Sequence, residues 1–216
     1  MDDIFPHDGS FSARGGPLAA VVLCRTPHGN LHAGLLFKVH GEPHVLHLGW
    51  EDQLRNHWDL GGLWTAPEVQ PEHLFVLARM CRMVWRRFES ERKLPYALGY
   101  MGTTFDSDGR LVLASGARGV TCATFILAVL GSVGIELVDE PTWPVREDED
   151  RAFIESVRGF ATPSLLAVLE DEVDQGVRRI RPDEVMAACR LDLPARFPDT
   201  RALADEIVAL LDTPTP

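Results

Sequence analysis

Gly119-Val120-Thr121-Cys122-Ala123-Thr124-Phe125, running on into Ile126-Leu127-Ala128-Val129-Leu130, sets the architecture of this chain. A Gly-containing loop ends at Thr121, whose hydroxyl suits a helix N-cap, and the run behind it has helical length. Nearly every residue of that run is apolar, so the helix is expected to be buried on all sides. Cys122 then takes the first helical position. Unpaired backbone N–H groups and the positive end of the helix dipole favour thiolate over thiol there. A Cys in an apolar run is more often inert packing. The loop that delivers Cys122 and the histidines upstream weigh instead for a nucleophile.

Toward the N-terminus the chain reads as a small sheet. Residues 18–24 form a buried strand, Thr26-Pro27-His28-Gly29-Asn30 a turn, and residues 31–39 with 44–48 a hairpin around Gly41-Glu42-Pro43. Residues 52–64 read as irregular and aromatic, with Trp50, Trp58 and Trp64 close together. Pro71 and Glu72 open a long helix to about Arg92, and its apolar face, from Leu74 to Phe88, accounts for Cys81 as packing. Residues 94–105 carry Tyr96 and Tyr100. Asp106-Ser107-Asp108-Gly109 turns into a short strand at 110–114, and the loop 115–119 leads to Cys122.

Four of the eight histidines fall between His32 and His47, with His28 just before. A zinc site would need two or three of them on one side. Strand alternation instead puts His44 and His47 on opposite faces, and no Cys or acidic residue stands at ligand spacing. No metal and no cofactor are therefore assigned. His28 and His40 read as surface residues of the hairpin. The remaining reading makes histidines the partners of Cys122, one as base and a second group to orient it. With a turn at Gly41-Glu42, paired residue numbers sum to about 83; His47 then faces Leu36, on the side of His32 and Gly34. That register leaves His32 and His47 four residues apart along the strand, roughly 13 Å, for twist, a bulge or side-chain reach to close.

His32-Ala33-Gly34-Leu35-Leu36-Phe37, then Val45-Leu46-His47-Leu48, then Thr121-Cys122-Ala123-Thr124-Phe125 resembles the circularly permuted NlpC-type papain-like superfamily, which includes the lecithin:retinol acyltransferase branch. In that superfamily the first strand His is the base, a polar residue on the next strand orients it, and the nucleophilic Cys follows at a helix start. The resemblance implies His32 as base, His47 as orienting group, with His44 the competing second histidine, and Cys122 as nucleophile. It also implies an aromatic residue, often Tyr, that lines the site ahead of the Cys. Tyr100 is the candidate before Tyr96, and ordinary packing is the alternative for either. The resemblance covers about residues 18–138 and leaves the C-terminal helices unaccounted for. Cys122-Ala123-Thr124-Phe125 stands where the acyltransferase branch has Cys-Glu-His-Phe, and that branch's membrane-anchoring tail is missing, so lipid acyl transfer is disfavoured.

In fold class the chain reads as α+β. The resemblance implies a papain-like core over residues 1–145, a small antiparallel sheet packed on the buried Cys-bearing helix, and residues 146–216 add a helical extension packed on or beside it. Helices in the extension start at the charged run 146–150, at Thr162-Pro163, at Arg181-Pro182 and at Asp199-Thr200, with Cys189 on the apolar face of the third. At 216 residues the chain can bury a core without staples. Four scattered cysteines with no CxxC pair read as reduced and cytoplasmic. No apolar run reaches the length of a membrane span. The net charge of −11 argues against nucleic acid as a partner and permits a protein partner at the acidic helical C-terminus.

The leading reading is a soluble thiol hydrolase that cleaves an amide bond of a peptide or protein substrate through an acyl-enzyme. Its cleft would be walled by Trp50 with Trp58 and Trp64, by the 115–119 loop, and by Tyr100, Gly119 and Thr121. One alternative keeps the site but passes the acyl group to a lipid or amine acceptor. The other is a non-catalytic interaction module on a papain-like shell, with the C-terminal helices as its binding part.

Overall fold

The computed structural model describes residues 4–6, 11, 16–57 and 61–213; Trp58, most of the lead-in and the last three residues lie outside them. The fold is mixed α+β, with an antiparallel sheet and six α-helices among the described residues.

The sheet is built from β1 (Phe5–Pro6), β2 (Ala19–Arg25), β3 (Leu31–Val39), β4 (Glu42–Leu48), β5 (Leu54–His57) and β6 (Leu63–Thr65). Their spatial order is β1-β6-β2-β3-β4-β5, every neighbour antiparallel. Residues 52–64, read above as irregular, thus supply two strands on opposite sides of the sheet. Each is too short to display an alternating pattern of its own. A small ribbon of β7 (Thr104–Phe105) and β8 (Leu111–Val112) stands apart from the main sheet, and residues 135–138 are extended, with one bridge from Val138 to Ala195.

Alternation gives the sheet two apolar faces. Val21, Leu23, Leu35, Phe37, Leu46 and Leu48 belong to the main core with α1 (Pro71–Glu91) and α2 (Cys122–Gly131). Ala20, Val22, Leu36, Val45 and Trp64 form a smaller cluster with Phe11 on the other face. Helix α2 starts at Cys122, and all of residues 123–130 are buried, as its uniform hydrophobicity predicts. Thr121 caps it: its Oγ1 accepts the Thr124 N–H at 3.1 Å, while Thr124 Oγ1 accepts the Thr121 N–H at 2.7 Å.

The β3–β4 hairpin differs from expectation. His40 and Gly41 both have positive φ, 53° and 89°, which makes them the two central residues of a primed turn. The ladder therefore closes at Val39↔Glu42 and runs to Leu35↔Leu46, two residues tighter than a turn at Gly41-Glu42 would give.

Four helices complete the chain: α3 (Glu147–Val157), α4 (Pro163–Asp174), α5 (Pro182–Ala188) and α6 (Phe197–Leu211). The last begins at Phe197-Pro198 rather than at Asp199, because Pro198 is tolerated in a first turn. Helix α5 is buried along its whole length against β2, β3 and α2, so the C-terminal helices share the main core. Many acidic residues of this region pair with its own arginines, among them Glu147 and Asp174 with Arg151, Glu155 and Glu170 with Arg158, and Asp205 with Arg201. No helix among the described residues is long and apolar enough to cross a membrane.

Candidate active site

A register shift of two leaves every side chain on its own face. His32 and His47 therefore share a side as expected, but the tighter turn carries His47 alongside Gly34 instead of Leu36. Only two strand positions then separate the histidines, and their rings meet: His32 Nε2 lies 2.7 Å from His47 Nδ1, with the ring planes at 81°. Gly34 makes room for this. A Cβ there would stand 2.9 Å from Val45 Cγ1 and 3.0 Å from the His47 Cβ. Gly34→Ala should overpack the strand pair, costing about 1–3 kcal/mol, and should slow Cys122 reactivity by pushing His47 off His32. Urea midpoints and alkylation rates measured together would check both effects. His44 lies on the other face, its ring 5.7 Å from that of Phe37.

The β3–β4 register ends at Leu35↔Leu46, and just beyond it the Ala33 backbone stands near the Cys122 sulfur and acts to lower its pKa. The adjacent residue supplies the imidazole, for His32 sits close enough to Cys122 that each shifts the other's titration. With Nε2 of His32 taken by His47, Nδ1 is the nitrogen left for the thiol. Burial would raise the Cys122 thiol, yet the charge of His32, the Ala33 backbone and the field of Arg179 bring it below its ordinary value of 9.0. Burial would lower His32, but attraction to the thiolate carries the imidazole above 6.5. The two shifts favour a thiolate–imidazolium pair.

His47 moves the opposite way. Burial, with repulsion from His32, His57 and Arg55, drops it to about 3. It is therefore neutral, and its Nδ1 accepts the Nε2–H of His32, which fixes the ring of the base. Its own Nε2 is buried without a hydrogen-bond partner among the described residues. The other cysteines offer no rival nucleophile. Cys24, Cys81 and Cys189 are buried, and burial pushes the Cys81 thiol up and the Cys189 thiol to about 12.

Cys122 and His32 open on a cavity of about 200 Å³ that Thr121 and Trp50 also line. Trp50 packs on Tyr96 (ring centroids 4.4 Å) and edge-on against Phe160 (4.9 Å). Other expected wall residues stand elsewhere. Tyr100 turns its hydroxyl to the Leu127 carbonyl at 3.3 Å, against the far end of α2, and Tyr96 holds the lining position instead. Trp64 lies farther along the sheet, stacked on Phe5 at 4.7 Å within the smaller cluster. The 115–119 loop does not line the cavity. Gly119 lies so close to Pro95 that a Cβ would be 2.5 Å from its carbonyl oxygen, and Val120 N–H donates to that oxygen at 3.0 Å. Gly119 thus holds the segment that presents Tyr96.

Another part of the wall comes from residues that the sequence reading passed over. Phe153, Val157 and Phe160 arrive from α3 and the turn after it, and Arg179, Ile180 and Pro182 from the approach to α5; His28, read as surface, sits at the rim. The signal available was the i, i+4, i+7 spacing of Phe153, Val157 and Phe160, an apolar stripe that begins in an acidic helix and runs just past its end. Among the described residues no group of three or more His, Cys, Asp or Glu is placed to hold a metal ion. No family model, no curated protein and no solved structure matches this chain.

Proposed function

We propose that this protein is a thiol hydrolase that cleaves an amide bond, peptide or isopeptide, with Cys122 as nucleophile, His32 as base and His47 as the group that orients the base. The observation that carries this reading is the relay itself. A thiol at the first position of a buried helix shares a cavity with an imidazole that lowers it and is raised by it, and a neutral second imidazole holds that ring at 2.7 Å. The order His, His, Cys, with an antiparallel sheet packed on the Cys-bearing helix, agrees with a permuted papain-like enzyme.

In this mechanism His32 holds the proton of Cys122, and the thiolate attacks the scissile carbonyl. The Cys122 N–H, which the helix does not use, donates to the developing oxyanion. The imidazolium returns its proton to the leaving amine, and neutral His32 then draws a proton from the water that hydrolyses the thioester. The capping box consumes the Thr124 N–H and so keeps the first turn rigid around the sulfur.

A p-nitrophenyl acyl ester at neutral pH tests the reading. The expected result is a burst of nitrophenol with the acyl group recovered on Cys122 by mass spectrometry, and no burst in Cys122→Ala. Equal sluggish acylation of all four cysteines would sink it. Adding a primary amine separates hydrolysis from transfer: if free acid remains the sole product, water is the acceptor.

A further inference from the structure

Building on the reading of Cys122 as nucleophile, we propose that Arg179 anchors a carboxylate carried by the acyl donor, while the Trp50–Tyr96–Phe160 wall takes an aromatic or bulky apolar group of the same substrate. Arg179 lines the Cys122 cavity and also a wider one of about 550 Å³, and the two cavities share Asn30, Leu31, Phe153 and Pro182 as well. Its side chain is only 13% exposed and lies on the Phe153 ring, 3.9 Å from the centroid. The guanidinium has one ion pair, from Nη1 to Asp150 at 3.3 Å, which is long for an N–H···O bond. A guanidinium carries five N–H donors, and no other acceptor engages this one among the described residues.

The neighbouring arginines are committed elsewhere. Arg25 grips both oxygens of Asp212, Arg181 is held by Glu149 and Asp183, and Arg201 by Asp205. Arg179 is the cation whose field reaches both Cys122 and Tyr96. A largely buried guanidinium with spare donors, flanked by apolar walls, matches a carboxylate that can accept two parallel bonds. Phe160, 58% exposed at the mouth, offers an apolar surface that a ring on the substrate would cover.

Iodoacetate and iodoacetamide test this, because they differ only in the carboxylate, and the sulfur displaces iodide from each to give a thioether. The ratio of their rates at Cys122 is read by mass spectrometry on the full chain at pH 7, relative to the same ratio for glutathione. Wild type should prefer iodoacetate by about tenfold over that reference. Arg179→Gln should remove most of the preference, and Asp150→Asn, which frees the guanidinium, should increase it. N-benzoylglycine should slow iodoacetamide in the wild type while its amide does not. A ratio unmoved by both substitutions overturns the carboxylate anchor and leaves the nucleophile standing. Cys122 inert to both reagents overturns the nucleophile and the anchor together. Should Arg179→Gln fail to fold, Asp150→Asn reads the same charge.

Discussion

Alkylation of Cys122 by iodoacetamide at pH 7 slows by roughly one to two orders of magnitude in His32→Ala, while Cys24, Cys81 and Cys189 stay inert. The expectation follows from the balance of effects on the sulfur. Burial alone would hold the thiol protonated, and His32 is the largest influence working against it. Without the imidazole the thiolate fraction at neutrality collapses; the greater nucleophilicity of a more basic thiolate recovers part of the loss. The pH profile carries the sign. The Cys122 thiol lies below 9.0 and the His32 imidazolium above 6.5, so wild-type reactivity should rise at lower pH than that of an ordinary thiol and fall on the acid side as the thiolate gains a proton. In His32→Ala the rate should instead climb steadily with pH, past 9. A wild-type profile that climbs like an ordinary thiol would show that the ion pair does not form.

Glu184→Ala is expected to cause the largest loss of stability, about 3–5 kcal/mol, because it leaves one member of a buried ion pair alone. Glu184 is fully buried, and its carboxylate accepts from Arg146 Nη1 at 2.5 Å and Nη2 at 3.1 Å, from Trp143 Nε1 at 3.0 Å and from the Arg181 N–H at 2.8 Å. Removing it strands the Arg146 guanidinium, orphans the indole and uncaps α5. Arg146 Nη2 also donates to the Arg179 carbonyl at 2.6 Å, so the wall of the Cys122 cavity loosens with it. The check is a urea midpoint at unchanged slope. Glu184→Gln, which keeps an acceptor without the charge, should lose less. A loss under 1 kcal/mol in Glu184→Ala would mean that solvent already reaches this network.

Local chemistry was legible in the sequence by itself. Thr121 ahead of an unbroken apolar run fixed a buried helix with Cys122 at its head, and Pro71 marked the start of α1, since capping and periodicity involve residues only a turn apart. Parity placed His32 and His47 on one face because side-chain alternation survives any even shift in register. Tertiary structure alone decided that they touch. The backbone that His40 adopts beside Gly41 tightened the hairpin by two residues, and the bare Gly34 let the second ring in. It also chose Tyr96 over Tyr100, through the docking of Gly119 on Pro95, and brought Arg179 and Phe160 to a sulfur dozens of residues away. Those choices rest on packing between elements distant in the chain, and no short stretch of sequence encodes which faces will meet.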